Sequence, residues 1–251
     1  TPPRAMVAPA TAPRNLTRPG GWGGDGIRVP CSRLSGESAT LFAISIQAAV
    51  LLRRNRRRSR KEEVSVAKSI KGTRTEKNLL ASFAGESQAR NRYTFFASIA
   101  RKEGYEQIAN IFTETAGNEK EHAEIFFKYL QGGDLEITAA YPAGVIGDTK
   151  SNLIAAADGE KMEWSVLYAE AEKVAREEGF EDIAVSFKEI AEVEEFHEGR
   201  YRKLAANVAN GEVFRKKTTV KWHCTNCGYI HEGPEAPKEC PACKHPQAYY
   251  E

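Results

Sequence analysis

The sequence predicts an all-α four-helix bundle followed by a small β/loop module stapled by metal. Three observations lead there. Apolar residues recur at three- and four-residue spacing, with charges between them, from about Thr75 to Asn210. The stretch from Val220 to Glu251 is too short to fold alone without a staple. Four of the five cysteines lie in that stretch, in two tight pairs.

The chain has 251 residues, 41% of them hydrophobic, enough to bury a real core. Its formal charge of +2 averages two unlike segments. Residues 1–63 carry 12 Lys+Arg against 4 Asp+Glu, whereas residues 64–251 carry 24 against 30. The folded part is acidic and offers no basic face for nucleic acid. The longest uncharged apolar stretch, Ala39 to Leu52, runs about 14 residues, short of the roughly 20 that cross a bilayer. Its arginine cluster follows the apolar run, the reverse of a secretory signal. Paired cysteines of this kind belong to a reducing compartment, and a cytoplasmic location is expected.

Taken in order, residues 1–63 are rich in Pro, Gly, Ala and Arg and lack sustained periodicity. Arg60-Lys61-Glu62-Glu63 is what a purine-rich ribosome-binding site gives when read as protein, with Val64 or Val66 as a GTG start. The segment, which holds the lone Cys31, is therefore expected to be a disordered leader or translated upstream sequence. An organelle transit peptide is the alternative. Residues 64–212 form the bundle, with helices at about 75–103, 105–131, 150–178 and 180–208. Gly104 and Gly179 mark short turns, and Gly132-Gly133 ends the second helix. The connection 132–149 is long, and a bundle with one long crossover has the ferritin-like topology.

The two helical hairpins repeat each other. Shifting the chain by 75 residues lays Arg101-Lys-Glu-Gly-Tyr-Glu-Gln-Ile-Ala on Arg176-Glu-Glu-Gly-Phe-Glu-Asp-Ile-Ala. The same offset pairs Phe112 with Phe187, Glu114 with Glu189, Glu119 with Glu194 and His122 with His197. A duplicated hairpin predicts a pseudo-twofold bundle with matched residues facing across its axis.

Glu119-x-x-His122 and Glu194-x-x-His197 each put a carboxylate and an imidazole on one helix face, a turn apart. The first helix adds Glu86, and the third adds Glu160 and Glu163. A Glu from each of two helices plus Glu-x-x-His from the other two is the ligand set of a di-iron or di-manganese carboxylate centre in ferritin-like bundles. One such pair in a Glu-rich helix would be surface charge; two at a fixed internal offset, with acids on both remaining helices, are not. Glu114 and Glu189 fall on another part of the face and are expected either at the surface or just behind the ligand residues. Tyr93 and Tyr168 fall seven and eight residues after Glu86 and Glu160, and read either as core aromatics or as hydrogen-bond partners of metal-bound carboxylates.

Residues 213–251 hold Cys224-x-x-Cys227 and, twelve residues on, Cys240-x-x-Cys243. Two such knuckles make a tetrahedral sulfur site, structural if zinc and electron-carrying if iron; spacing does not separate the two. His223, His231 and His245 are surplus to that tetrahedron. Trp222, Tyr229, Tyr249 and Tyr250 are expected to form the module's core.

With these residues assembled, the chain from about Val66 to Glu251 closely resembles rubrerythrins. The resemblance rests on Ala84-Gly-Glu-Ser-Gln-Ala-Arg-Asn-Arg-Tyr93, Glu114-Thr-Ala-Gly-Asn-Glu-Lys-Glu-His-Ala123, Glu160-Lys-Met-Glu163, Glu194-Glu-Phe-His197 and Cys224-Thr-Asn-Cys-Gly-Tyr-Ile-His-Glu-Gly-Pro. It implies a rubredoxin-like (zinc-ribbon-like) module whose four cysteines hold one redox-active iron. It implies that Glu119 and Glu194 bridge two irons, with Glu86 terminal on one and Glu160 and His197 on the other. Glu163 and His122 become alternative ligands of the first iron, one favoured when oxidised and the other when reduced. Catalysis would fall to Glu86, Glu119, Glu163 and Glu194, with Tyr93 orienting the carboxylates. The implied reaction is reduction of hydrogen peroxide to water in oxidative-stress defence, in a homodimer or higher homo-oligomer whose modules serve the partner's di-iron site. Electrons would come from a separate reductase drawing on reduced pyridine nucleotide, or from a rubredoxin. A ferroxidase or iron-handling protein is the alternative, which would need no thiolate-bound iron. A non-enzymatic electron carrier on a helical stalk is disfavoured by the cost of burying so many acids without metal.

Overall fold

The computed structural model describes residues 68–251; the expected leader and Cys31 lie outside the described residues. Two helical hairpins form the bundle. Helix α1 (Arg74–Lys102) begins where the Thr73 side chain accepts the backbone N–H of Glu76 at 3.1 Å, a side-chain cap on a free helix donor. Helix α2 (Glu106–Tyr129) returns antiparallel to it. The second hairpin opens with α3 (Thr149–Met162), capped by Asp148, and closes with α5 (Glu181–Ala209).

Both hairpin turns use the same device. Gly104 and Gly179 take positive φ, 82° and 72°, a conformation that costs a residue with a Cβ about 1–2 kcal/mol. The N–H groups that follow them, of Tyr105 and Phe180, each reach back 2.8 Å to the carbonyls of Ala100 and Ala175, closing otherwise orphaned helix ends.

The third rod departs from the expected single helix. Between α3 and α4 (Tyr168–Glu177) lies a π turn, Glu163–Leu167, in which the Tyr168 N–H bonds the Glu163 carbonyl five residues back. A π turn absorbs one extra residue into a helix. That residue is visible in the repeat: Glu86 and Glu160 are 74 apart, whereas Tyr93 and Tyr168 are 75 apart.

Two apolar clusters sandwich a polar layer. One gathers Tyr93, Phe96, Ile108, Phe112 and Tyr201; the other gathers Tyr168, Ile183, Phe187 and Phe126. Phe112 matches Phe187 and Tyr201 matches Phe126 under the 75-residue shift, so the clusters are copies. Together they position whatever lies between them.

The C-terminal module is built on a two-stranded antiparallel sheet, β1 (Arg215–His223) and β2 (Ile230–Glu235). Trp222, Ala236 and Tyr250 form its small core with Cys224 and Cys240. Tyr249 packs against that core, but Tyr229, expected inside, is 37% exposed. Its carbonyl, rather than its ring, is used, accepting the Cys224 N–H at 2.9 Å. The module rests on the end of the first hairpin. Phe214 stacks on Tyr105, and Ala248 packs over Gly104.

Candidate metal centres

All seven acid and imidazole side chains singled out in the bundle are buried, and they meet in the polar layer. Two groups of atoms converge there, each set lying within 4.8 Å of one another. Glu86, Glu119, His122 and Glu194 form one group; Glu119, Glu160, Glu194 and His197 form the other. Each imidazole presents Nδ1. His122 Nδ1 lies 3.0 Å from Glu119 Oε2 and 2.8 Å from Glu194 Oε1. His197 Nδ1 lies 3.5 Å from Glu119 Oε1 and 2.7 Å from Glu194 Oε2. Glu119 and Glu194 thus each turn one oxygen to either group. Glu163 is buried beside them yet belongs to neither.

The electrostatics of the layer call for cations. Burial, followed by the charge of neighbouring carboxylates, pushes Glu86, Glu119 and Glu160 well above the usual range. Glu163 is pushed up to about 7, by burial first and then by Glu194. Burial acts on Glu194 too, but the imidazoles on either side hold it below its ordinary value. Carboxylate oxygens of Glu86, Glu119 and Glu160 are buried without a hydrogen-bond partner. Leaving each so costs about 1–3 kcal/mol or more. Hard oxygen donors mixed with imidazole suit iron or manganese, so donor chemistry and orphaned atoms both fit a pair of such ions.

The tyrosines meet both expectations, with rings in the apolar clusters and hydroxyls on buried carboxylates. Tyr93 donates to Glu160 Oε1 at 2.6 Å, and Tyr168 donates to Glu86 Oε1 at 2.5 Å. Each therefore fixes a carboxylate of the opposite hairpin. Glu114 pairs with Arg200 and Glu189 with Lys188, both at the surface as expected. The sequence reading missed Tyr141, which comes from the long crossover. Its hydroxyl donates to the Ala81 carbonyl at 2.7 Å, and its ring lies over Gly85. The π turn explains Glu163 itself. At the matching place in the first hairpin, three residues after Glu86, stands Ala89.

The module brings its four cysteines together as a second centre. Cys224 and Cys243 sulfurs are 3.8 Å apart, and Cys227 and Cys240 sulfurs are 3.7 Å apart. A regular tetrahedron of 2.3 Å metal–sulfur bonds has edges of about 3.8 Å, so the spacing fits a four-thiolate ion. The first knuckle turns at Gly228, with φ 80°, and the second at Lys244, with φ 64°. The backbone N–H of His245 draws the Cys243 thiol down to about 6 against burial, readying a thiolate. No histidine joins the sulfur group.

Comparison with known proteins agrees with both centres. A family model described as rubrerythrin matches residues 77–205, and a model of the rubrerythrin rubredoxin-like domain matches residues 222–251. The chain is 59% identical over 191 residues to a rubrerythrin of Porphyromonas gingivalis, covering 76% of this chain and 96% of the relative. It is 56% identical over 184 residues to a rubrerythrin of Nitratidesulfovibrio vulgaris, covering 73% and 96%. Nigerythrin of the same organism is 35% identical over 188 residues, covering 73% and 88%.

Proposed function

This chain belongs to the rubrerythrin family, with a di-iron site in the bundle and a four-cysteine site in the module, and from that premise we propose that it reduces hydrogen peroxide to water. The carrying observation is the division of the Glu119 and Glu194 oxygens between two equivalent groups, which suits carboxylates that bridge a metal pair. Glu86 and His122 would complete one position, Glu160 and His197 the other, with Glu163 in reserve at the first. Iron bound there supplies Lewis acidity and electrons for cleavage of the O–O bond. Tyr93 and Tyr168 lock the two terminal carboxylates, and the apolar clusters above and below keep bulk water from the layer.

The overall reaction consumes two electrons and two protons per peroxide and yields two waters. We assign delivery of the electrons to iron on Cys224, Cys227, Cys240 and Cys243. Within one chain that module sits beside Tyr105, whereas the carboxylate layer is at Glu119 on the same helix. Fourteen residues at 1.5 Å each put about 21 Å between those levels. Tunnelling falls off exponentially with distance, which favours a module supplied by another copy of the chain. Charge favours it too: residues 213–251 carry 6 Lys+Arg against 4 Asp+Glu, and residues 64–212 carry 18 against 26. A homodimer or higher homo-oligomer follows. The donor would be a reductase drawing on reduced pyridine nucleotide, or a rubredoxin. The free cysteines favour the cytoplasm, and no helix among the described residues is long and apolar enough to cross a membrane.

Anaerobic stopped-flow spectroscopy tests the reading. Iron-loaded protein, reduced and mixed with hydrogen peroxide, should reoxidise rapidly, and the visible colour of ferric thiolate should return. Zinc on the cysteines, or iron that responds to oxygen and not to peroxide, would favour the ferroxidase reading instead.

A further inference from the structure

The seven acid and imidazole residues of the layer are not equally closed to solvent. Glu86, Glu119, Glu160, Glu194 and His197 keep 0–2% of their surface exposed, whereas His122 and Glu163 each keep 8%. Both of the more open side chains are those assigned to the first metal position. The second, at Glu160 and His197, is sealed. Solvent, and anything dissolved in it, therefore meets the layer at one edge.

That edge runs along α1 at Gly85, the residue before Glu86. Measured from the point where a Gly85 Cβ would stand, Tyr141 Cε1 is 3.6 Å away and Glu163 Oε1 is 4.0 Å away. Ring and carboxylate thus share one notch, made by the missing side chain. Tyr141 comes from the crossover between the hairpins. Its hydroxyl donates to the Ala81 carbonyl at 2.7 Å, one helical turn before Gly85, which lays the side chain along the outside of α1. The crossover has little else to hold it, for no residue between Gln131 and Asp148 is buried. A segment with so few buried contacts opens locally at low cost, leaving the bundle undisturbed.

We propose that Tyr141 is the specificity-determining residue at the entry to the layer: seated in the notch of Gly85 and pinned to Ala81, its ring narrows the way in beside Glu163, so that hydrogen peroxide passes and bulkier organic hydroperoxides are held back. This substrate limit rests on the peroxidase reading above and adds to it a ceiling on size. The chemistry open to both substrates is the same. An organic hydroperoxide takes up two electrons and two protons, its O–O bond breaks, and one alcohol and one water leave in place of two waters. Discrimination between the two is then steric and is exercised before any bond breaks.

The test uses the full chain, iron-loaded, reduced without oxygen and mixed in a stopped-flow instrument with hydrogen peroxide or cumene hydroperoxide. Wild type should strongly favour hydrogen peroxide. In Tyr141→Ala the rate constant for cumene hydroperoxide should rise about tenfold, while that for hydrogen peroxide moves by less than about twofold. Tyr141→Phe keeps the ring and loses the bond to Ala81, so it should fall between. A second readout needs no peroxide: a bulky chelator, bathophenanthroline disulfonate, should strip ferrous iron from Tyr141→Ala faster than from wild type by a similar factor. Val145→Ser, on the same crossover and 84% exposed, controls for a merely loosened segment and should match wild type in both measurements. Equal consumption of the two hydroperoxides by wild type, an unchanged preference in Tyr141→Ala, or a Val145→Ser that behaves like Tyr141→Ala would each overturn the proposal. A wild type inert to hydrogen peroxide would sink the peroxidase reading, and chelator access alone would then decide whether Tyr141 guards the layer.

Discussion

The two hairpins of the bundle are copies that differ by one residue, and the difference falls at the metal layer. Turns, aromatic clusters, tyrosine locks and Glu-x-x-His pairs all have counterparts under a shift of 75 residues. Only the second hairpin carries the π turn, and with it Glu163 where the first has Ala89. Duplication alone would give two equivalent metal positions. On the proposed ligand assignment, one inserted residue would give the first position a choice of ligands, His122 or Glu163, while the second would have His197 alone. A site that must change its preferred charge between two oxidation states gains from that inequality; a storage or structural site has no use for it.

The strongest way to break this comparison is to attack what the halves share. Glu119 and Glu194 are symmetry mates that each serve both groups. Glu119→Gln and Glu194→Gln should therefore be equally damaging. Each should strip iron from both positions and lower peroxide turnover by at least about 100-fold, more than is typical for loss of a ligand's hydrogen-bond partner. Metal analysis beside turnover checks this. If one variant keeps a full iron pair, the carboxylates do not bridge.

Next in size is the effect of pH on the protein stripped of metal. Burial lifts the Glu163 carboxyl from its ordinary 4.5 to about 7. Between those values the native state holds a proton that the unfolded chain has lost. Stability is then full below about 4.5 and drains away as pH rises through 7, by about 3 kcal/mol for this group alone. Glu86, Glu119 and Glu160, also raised, act in the same direction. Glu194 is lowered and titrates at the acid end, outside this window. Urea unfolding at pH 5 and pH 8 should show the metal-free protein weaker at pH 8, with little change in the iron-loaded protein. Equal stability at both pH values would mean that the layer is wetter than its burial implies.

What could be read from the sequence follows the same division. Helix periodicity, the turn glycines and the duplicated Glu-x-x-His pairs are local patterns, and they were enough to place both hairpins and to gather the ligand residues. The four-cysteine spacing was equally direct. The π turn left a trace, the change of offset from 74 to 75 between the glutamate and tyrosine pairs, but one residue of drift looks like a loose repeat until backbone hydrogen bonds are seen. The crossed bonds of Tyr93 and Tyr168 were hidden for another reason. Spacing along a chain ranks neighbours on one helix, and these tyrosines reach the facing one. Arg92 over Gly159 and Tyr141 over Gly85 are contacts between segments far apart in sequence, and no period encodes them.

The finest test asks whether the two histidines are unequal. His122 and His197 occupy matched places, and each presents Nδ1 to its group. If Glu163 can stand in for His122, then His122→Gln keeps four potential donors at the first position. His197→Gln has no such reserve, because the first hairpin offers Ala89 where the second offers Glu163. Iron affinity, measured by competition with a chelator, should therefore fall roughly tenfold further in His197→Gln than in His122→Gln, about 1.4 kcal/mol of difference between equivalent substitutions. Equal losses would mean that Glu163 never reaches the metal and that the inserted residue serves only the packing of α4. A greater loss in His122→Gln would reverse the assignment, making the first position the one that depends on its imidazole.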